Sequence, residues 1–136
     1  MEAIRLIEAA LSAREKSYSP YSRYAVGAAL LTVDGTVYTG CNVESASYGA
    51  TICAERTALV KAASEGERQF AAIVIVGGRH GERPPLSGYA FPCGLCRQHL
   101  YEFSPDMLVI VARSAGDFKQ YRLADLLPDG FGAAQL

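Results

Sequence analysis

Residues 24–33 read Tyr24-Ala25-Val26-Gly27-Ala28-Ala29-Leu30-Leu31-Thr32-Val33, and Asp34-Gly35 follows directly. The run is almost continuously apolar, which is typical of a strand that is covered on both faces. Asp-Gly is a favoured pair for the tight turn of a β-hairpin. The stretch therefore predicts a central strand that turns at 34–35 into an antiparallel partner over about 36–41.

The rest of the chain alternates between helical and strand patterns. Apolar residues recur at helical spacing in some segments, while others are short continuous apolar runs bounded by Gly, Pro or Ser. The predicted helices cover 3–17, 53–65, 93–103 and 123–127, and the further strands cover 70–76, 107–111 and, weakly, 119–122. Helices interleaved with apolar strands predict an α/β fold, a three-layer α/β/α sandwich around a mixed five-stranded sheet.

Length and composition narrow the function classes. A chain of 136 residues is of ordinary single-domain size, so we expect one domain over 1–136. Its net charge of -1 argues against a nucleic-acid partner, and we expect a small-molecule ligand instead. We expect no membrane segment, because no apolar run is long enough, and the N-terminus does not resemble a signal peptide. These features predict a cytoplasmic protein, in which free thiols are more common than disulfides.

Two short stretches carry candidate metal ligands: Cys53-Ala54-Glu55-Arg56 and Pro92-Cys93-Gly94-Leu95-Cys96-Arg97. Catalytic zinc sites have three protein ligands and leave the fourth position to water, whereas structural sites have four. Cys53, Cys93 and Cys96 with Glu55 nearby fit the catalytic pattern. The cysteines can converge with Glu55 only if each stretch lies at the N-terminus of its helix, where the helix dipole also stabilises thiolates.

Three thiolates on one Zn²⁺ leave a negative site that weakens the metal as a Lewis acid. Arg56 follows Cys53 by three residues and is a candidate to donate to a ligand sulfur and offset this charge; Arg97 is a second candidate. Glu55 is then the candidate group that accepts and returns a proton.

The Cys-Ala-Glu and Pro-Cys-x-x-Cys motifs resemble those of the zinc nucleoside deaminases. The similarity to the short, homotetrameric cytidine deaminases covers nearly the whole chain. It includes 21–30 (YSRYAVGAAL), 40–49 (GCNVESASYG), 53–58 (CAERTA) and 126–132 (LLPDGFG).

This resemblance implies hydrolytic deamination of cytidine and 2′-deoxycytidine in pyrimidine salvage, with one Zn²⁺ per subunit and active sites at the interfaces of a homotetramer. It implies that Cys53, Cys93 and Cys96 hold zinc and that Glu55 moves a proton to N3 of the base and later to the departing amine. The substrate contacts implied are Asn42 and Glu44 at the ribose, Tyr24, the Ala54 amide and the Phe91 carbonyl at the base, and Phe131 from a neighbouring subunit.

The chain departs from the usual family pattern at several positions. Tyr24 stands where phenylalanine is common, Ala25 replaces a proline, and Phe91 replaces a small polar residue. The segment 78–90 is also longer than in the smallest members.

Three alternatives remain open from the motifs. A related deaminase of the blasticidin type would keep the chemistry and change the base. A non-catalytic structural zinc protein with four cysteine ligands would recruit Cys41 as the fourth, and a thiol oxidoreductase would use Cys93 and Cys96 as a redox pair.

Overall fold

The computed structural model describes residues 3–136. Its helices are α1 (Ala3–Arg14), α2 (Ala54–Ser64) and α3 (Gly94–Phe103), and its strands are β1 (Tyr24–Thr32), β2 (Val37–Cys41), β3 (Phe70–Arg79), β4 (Leu108–Ser114) and β5 (Asp117–Arg122). Met1 and Glu2, which the predicted domain includes, lie outside the described residues. No helix within 3–136 is long and apolar enough to cross a membrane.

The five strands form one mixed sheet in the order β2-β1-β3-β4-β5. β1 pairs antiparallel with both β2 and β3, and β4 pairs antiparallel with β5. β3 and β4 are parallel, and α3 makes the crossover between them. The predicted mixed five-stranded sheet is therefore confirmed.

The hairpin between β1 and β2 differs in length from the predicted two-residue turn. The connection covers residues 33–36, and the amide of Gly35 donates to the Thr32 carbonyl over 3.1 Å. Gly35 has φ of +97°, a conformation that glycine adopts without steric cost. Asp34 is held beside it by the Thr32 and Thr36 hydroxyls.

Both faces of the sheet are covered, as the apolar strands predicted. Side chains alternate along β3, so that Ile73 and Ile75 pack on the face of α2 and α3 while Val74 and Val76 pack on the face of α1. Each face has its own cluster of fully buried side chains. The three-layer α/β/α arrangement places the N-termini of α2 and α3 on the same side of the sheet.

Several element ends differ from the sequence predictions. α1 ends at Arg14, three residues early, and β3 continues to Arg79 because β1 supplies partners as far as Tyr24. The predicted helix over 123–127 is a 3-10 turn over Leu123–Leu126. These differences leave the order of elements unchanged.

Candidate metal centre and active site

Both cysteine motifs lie at helix N-termini. Cys53 is the N-cap residue of α2 and Cys93 is that of α3, each with extended backbone angles. Cys96 lies in the first turn of α3. The first amides of each helix have no acceptor within the helix, so their positive potential is directed at the sulfurs.

The three thiols are close enough to share one ion. Their sulfur atoms lie within 4.8 Å of one another. The Sγ atom of Cys93 is 3.7 Å from that of Cys53 and 3.5 Å from that of Cys96. Thiolates about 2.3 Å from a tetrahedral zinc ion stand roughly 3.8 Å apart, so both distances from the Cys93 sulfur are close to those of zinc ligands.

The environment favours the thiolate form of Cys53. Hydrogen bonding from the Cys96 thiol and then from Cys93, together with the charge of Arg56, lowers the pKa of Cys53 to about 6. The same bond to Cys53, with burial, raises the pKa of Cys96. The two pKa shifts have opposite directions, so Cys53 ionises before Cys96.

Glu55 is the buried acid of the site. Only 4 % of the residue is exposed, and it lies in the first turn of α2, two residues after Cys53. Burial raises the pKa of its carboxyl group to about 7, and the neighbouring Cys53 adds to the rise. A carboxyl group with this pKa can accept and release a proton near neutral pH.

Cys53, Cys93 and Glu55 line one cavity of about 340 Å³, while Cys96 is fully buried. This volume falls in the range of small-ligand pockets. The cavity collects most of the predicted site residues, although they are distant in the sequence: Tyr24, Asn42, Cys53, Ala54, Glu55, Phe91 and Cys93.

Residues 1–112 match the family model described as the cytidine and deoxycytidylate deaminase zinc-binding region. The chain belongs to this deaminase family. A cytidine deaminase from Halalkalibacterium halodurans is 46% identical over 137 aligned residues, which cover 100% of this chain and 98% of that protein. One from Sporosarcina psychrophila is 44% identical and covers 100% of this chain and 96% of its own length.

A solved structure supports the same fold. The 1.6 Å crystal structure of cytidine deaminase from Burkholderia pseudomallei superposes with a TM-score of 0.86 at 50% identity, covering 96% of this chain and 100% of that one. The matched region of the family binds zinc. In this deaminase, Cys53, Cys93 and Cys96 form a cluster of soft thiolate ligands that suits zinc.

Asn42 lines the deaminase cavity, but most of its amide is already bonded to the protein. Its Oδ1 accepts from the Val26 amide over 2.9 Å and from the Ser17 hydroxyl, and its Nδ2 donates to the Tyr24 carbonyl over 2.9 Å. These bonds continue the pairing of β1 past the end of β2. Asn42 thus enters the site with a fixed side-chain orientation.

Glu44 lines a neighbouring cavity with Tyr21, Ser22 and Tyr48 rather than the cavity of Glu55. Its carboxylate accepts from the amides of Tyr21 and Ser22 over 3.0 and 3.1 Å and from the Ser22 hydroxyl. The Ser22 hydroxyl is the main cause of a lowered Glu44 pKa. Residues 42 and 44 therefore border adjoining spaces within one monomer.

Phe131 and Arg56 stand outside the cavity of Glu55. Phe131 is 55% exposed and lies beside α3 on residues 126–136, the C-terminal segment. Arg56 borders the exposed surface around His99, and within residues 3–136 its guanidinium makes no hydrogen bond to a sulfur; it acts on Cys53 through its charge. Arg97 donates instead to the carbonyls of Pro92 and Leu126.

Cavity-lining residues that the sequence did not single out include Tyr89 and Thr51. Tyr89 belongs to the long segment before the second cysteine motif, and its hydroxyl donates to Asp117. The segment is fixed at its middle, since Leu86 is fully buried and Arg113 donates to the Leu86 carbonyl over 2.7 Å. In the sequence, only the unusual length of this segment indicated that it has a functional role.

Cys41 is separate from the metal centre. It lies in another cavity with Lys16 and Lys61, and the cysteine cluster found in the described residues contains the other three thiols alone. The arrangement does not provide the fourth thiol of a closed four-cysteine site.

Proposed function

We propose that this protein hydrolyses cytidine and 2′-deoxycytidine to uridine and 2′-deoxyuridine with release of ammonia. The observation that carries the proposal is a cluster of three sulfurs, two of which line the same cavity of about 340 Å³ as the buried carboxyl group of Glu55. Its full-length similarity to cytidine deaminases supports the choice of substrate.

Zinc held by Cys53, Cys93 and Cys96, one ion per subunit, would activate a water molecule as a Lewis acid. Glu55 accepts a proton from the attacking water and delivers it to N3 of the base. A bond forms between the water oxygen and C4, and the C4–N4 bond then breaks. Glu55 takes the remaining proton from the new C4 hydroxyl and passes it to the amino group, so that the C4 carbonyl forms as ammonia leaves and water and cytidine give uridine and ammonia.

The helix end that carries Glu55 also orients the base. The amide of Ala54 is free at the N-terminus of α2 and would donate to the carbonyl edge of the pyrimidine. The carbonyl of Phe91 would accept from its amino group, and the ring of Tyr24 would pack against the base. These contacts select a pyrimidine that has a carbonyl oxygen to accept from the Ala54 amide and an amino group to donate to the Phe91 carbonyl.

Asn42 and Glu44 would hold the ribose. The Nδ2 of Asn42 has a second hydrogen to offer after its bond to Tyr24. Glu44 would reach the sugar from the neighbouring cavity, where the backbone amides of 21 and 22 orient its carboxylate.

Arg56 completes the site electrostatically. Its positive charge lowers the pKa of Cys53 and offsets the negative charge of three thiolates.

Assembly completes the site sterically. We propose a homotetramer in which Phe131 of one subunit covers the base bound by a neighbour, since Phe131 is exposed and remote from its own cavity.

The 136 residues act as one domain in this assembly. We place the enzyme in the cytoplasm, in pyrimidine salvage, where cysteines outside disulfides stay reduced.

The decisive experiment measures ammonia release from a panel of nucleosides and from blasticidin S, with and without a chelator. Cytidine and 2′-deoxycytidine should react, adenosine should not, and the chelator should abolish the reaction. Activity restricted to blasticidin S would change the substrate, and metal binding without ammonia release would reduce the protein to a structural zinc protein.

A further inference from the structure

The C-terminal segment runs along the same helix that carries two of the metal ligands. Consecutive residues of α3 hold it: the Arg97 Nη1 donates to the Leu126 carbonyl over 2.8 Å, and the Gln98 Nε2 donates to the Phe131 carbonyl over 2.7 Å. Both side chains are half-buried. The segment is therefore attached at its start and at the aromatic residue itself.

One turn further along α3, the ring of Tyr101 packs against two glycines of the segment. A Cβ on Gly130 would come within 2.8 Å of the Tyr101 ring, and a Cβ on Gly132 within 3.3 Å. The backbone on both sides of Phe131 thus lies directly on the ring. This contact limits the positions that the Phe131 side chain can take.

Arg97 also reaches the metal-binding turn. Its Nε donates to the Pro92 carbonyl over 2.7 Å, immediately before the ligand Cys93, and Arg97 itself follows the ligand Cys96. The planar guanidinium presents several donors in a fixed geometry, so one group can satisfy two carbonyls at once. The Pro92–Cys93 turn and the C-terminal segment therefore share a single support.

We infer that Arg97 and Gln98 are positioning residues: Gln98 fixes the Phe131 aromatic, and Arg97 fixes both that segment and the metal-binding turn. The inference rests on the proposed function in one respect, the contact of Phe131 with the base. Because only Arg97 also holds the metal-binding turn, variants of Arg97 and Gln98 should have different effects.

The test compares Gln98→Met and Arg97→Met in the zinc-loaded enzyme. Hydrogen–deuterium exchange over 127–136 should be roughly threefold to tenfold faster in both variants. This factor corresponds to the net free energy that one hydrogen bond contributes. Zinc loss to a competing chelator should accelerate in Arg97→Met and stay at the wild-type rate in Gln98→Met. Unchanged exchange in both variants would overturn the inference.

Matched controls are available on other elements. Arg68 also donates to two backbone carbonyls, those of Ala63 and Glu67, but at the far end of α2. Gln120 is exposed on β5. Arg68→Met and Gln120→Met should leave both the exchange over 127–136 and the zinc loss unchanged.

A double-mutant cycle tests the link to Phe131. If Gln98 acts through that ring, Gln98→Met and Phe131→Ala each raise the KM for cytidine by roughly threefold or more, and the double variant is no worse than Phe131→Ala. Multiplied effects would contradict the inference. Should Arg97→Met fail to fold, Arg97→Lys keeps the charge without the two-carbonyl fork and should still accelerate exchange and zinc loss.

The failure of the proposed function is distinguishable from the failure of this inference. An enzyme inactive on cytidine refutes the former, while hydrogen exchange and zinc loss still report whether α3 positions the segment and the turn.

Discussion

The hydroxyl of Tyr24 lies against the backbone of Gly77 on the neighbouring strand. A Cβ on Gly77 would stand 2.7 Å from the Tyr24 hydroxyl and 2.8 Å from the Ala90 Cβ. Tyr24 and Gly77 share the sheet face of α2 and α3, where the cavity opens. Glycine at 77 therefore makes the room that the ring and hydroxyl of Tyr24 need.

Gly77→Ala should displace the Tyr24 ring. Overpacking of this kind costs about 1–3 kcal/mol, so the thermal midpoint should fall by about 3–10 °C and kcat/KM for cytidine should decrease. Calorimetry and steady-state kinetics provide the measurements. Gly88→Ala is the matched control, because a Cβ there meets nothing within 4 Å.

Tyr24→Phe should partly rescue Gly77→Ala, since it removes the atom closest to the new methyl group. As a single change it should keep the stability within about 1 kcal/mol, because no residue within 3–136 hydrogen-bonds to the Tyr24 hydroxyl. The thermal midpoints of wild type, the two single variants and the double variant measure the coupling between positions 24 and 77. Strict additivity would show that the hydroxyl is not the source of the clash.

Glu55→Gln should lower kcat for cytidine by about a thousandfold, because an amide cannot carry the proton between water and base. The zinc content should remain near one ion per subunit, since the carboxylate is not among the clustered ligands. Metal analysis and ammonia assays on the same sample separate these effects. Full activity in this variant would exclude Glu55 as the proton carrier.

Removal of zinc should lower the thermal midpoint by about 5 °C or more, because an ion bound to Cys53, Cys93 and Cys96 joins the starts of α2 and α3. Scanning calorimetry before and after dialysis against a chelator measures the change. With a thiol reductant present throughout, restored zinc should recover both the midpoint and the activity. An unchanged midpoint would mean that the two helix ends are held together without the ion.

Glu44 should give stability a defined pH dependence. The Ser22 hydroxyl, with the amides of Ser22 and Tyr21, holds the pKa of Glu44 below its unfolded value. Its contribution is therefore complete above the unfolded pKa and is lost as the pH falls through the folded pKa. Glu44→Gln should lower the thermal midpoint at neutral pH, and the difference from wild type should shrink as the solution is made acidic.

Ser22→Ala supplies the check on that cause, because it removes the main hydrogen bond to the carboxylate. It should shrink the pH-dependent part of the Glu44→Gln effect. A difference of the same size at every pH would attribute the destabilisation to lost packing rather than to charge.

The sequence predicted the features that depend on local signals. Asp34-Gly35 marked the hairpin, and the two cysteine motifs marked helix starts because helix geometry leaves no other way for Cys53 and Glu55 to converge. The target of Arg97 was not predictable in this way. Sequence adjacency to Cys96 suggested a sulfur, whereas the Leu126 carbonyl is brought close only by the packing of the C-terminal segment on α3.

The long segment before Cys93 shows the same difference. Its Gly and Pro residues indicate a loop, but nothing in its sequence states that Leu86 enters the core beneath α1 or that the Tyr89 hydroxyl meets Asp117. Those contacts depend on the pairing of β4 with β5, which brings Arg113 and Asp117 together. The tertiary structure alone turns this segment into a wall of the cavity.

The closeness of the three thiols has a further consequence for handling the protein. Without zinc, sulfurs 3.5 Å and 3.7 Å apart have to move only about 1.5 Å toward each other to reach disulfide length, and Cys93 is exposed to dissolved oxygen. Loss of the metal should therefore be followed by oxidation, after which added zinc no longer restores the enzyme until a thiol reductant has reopened the bond. The resident ion is in this sense also a protecting group.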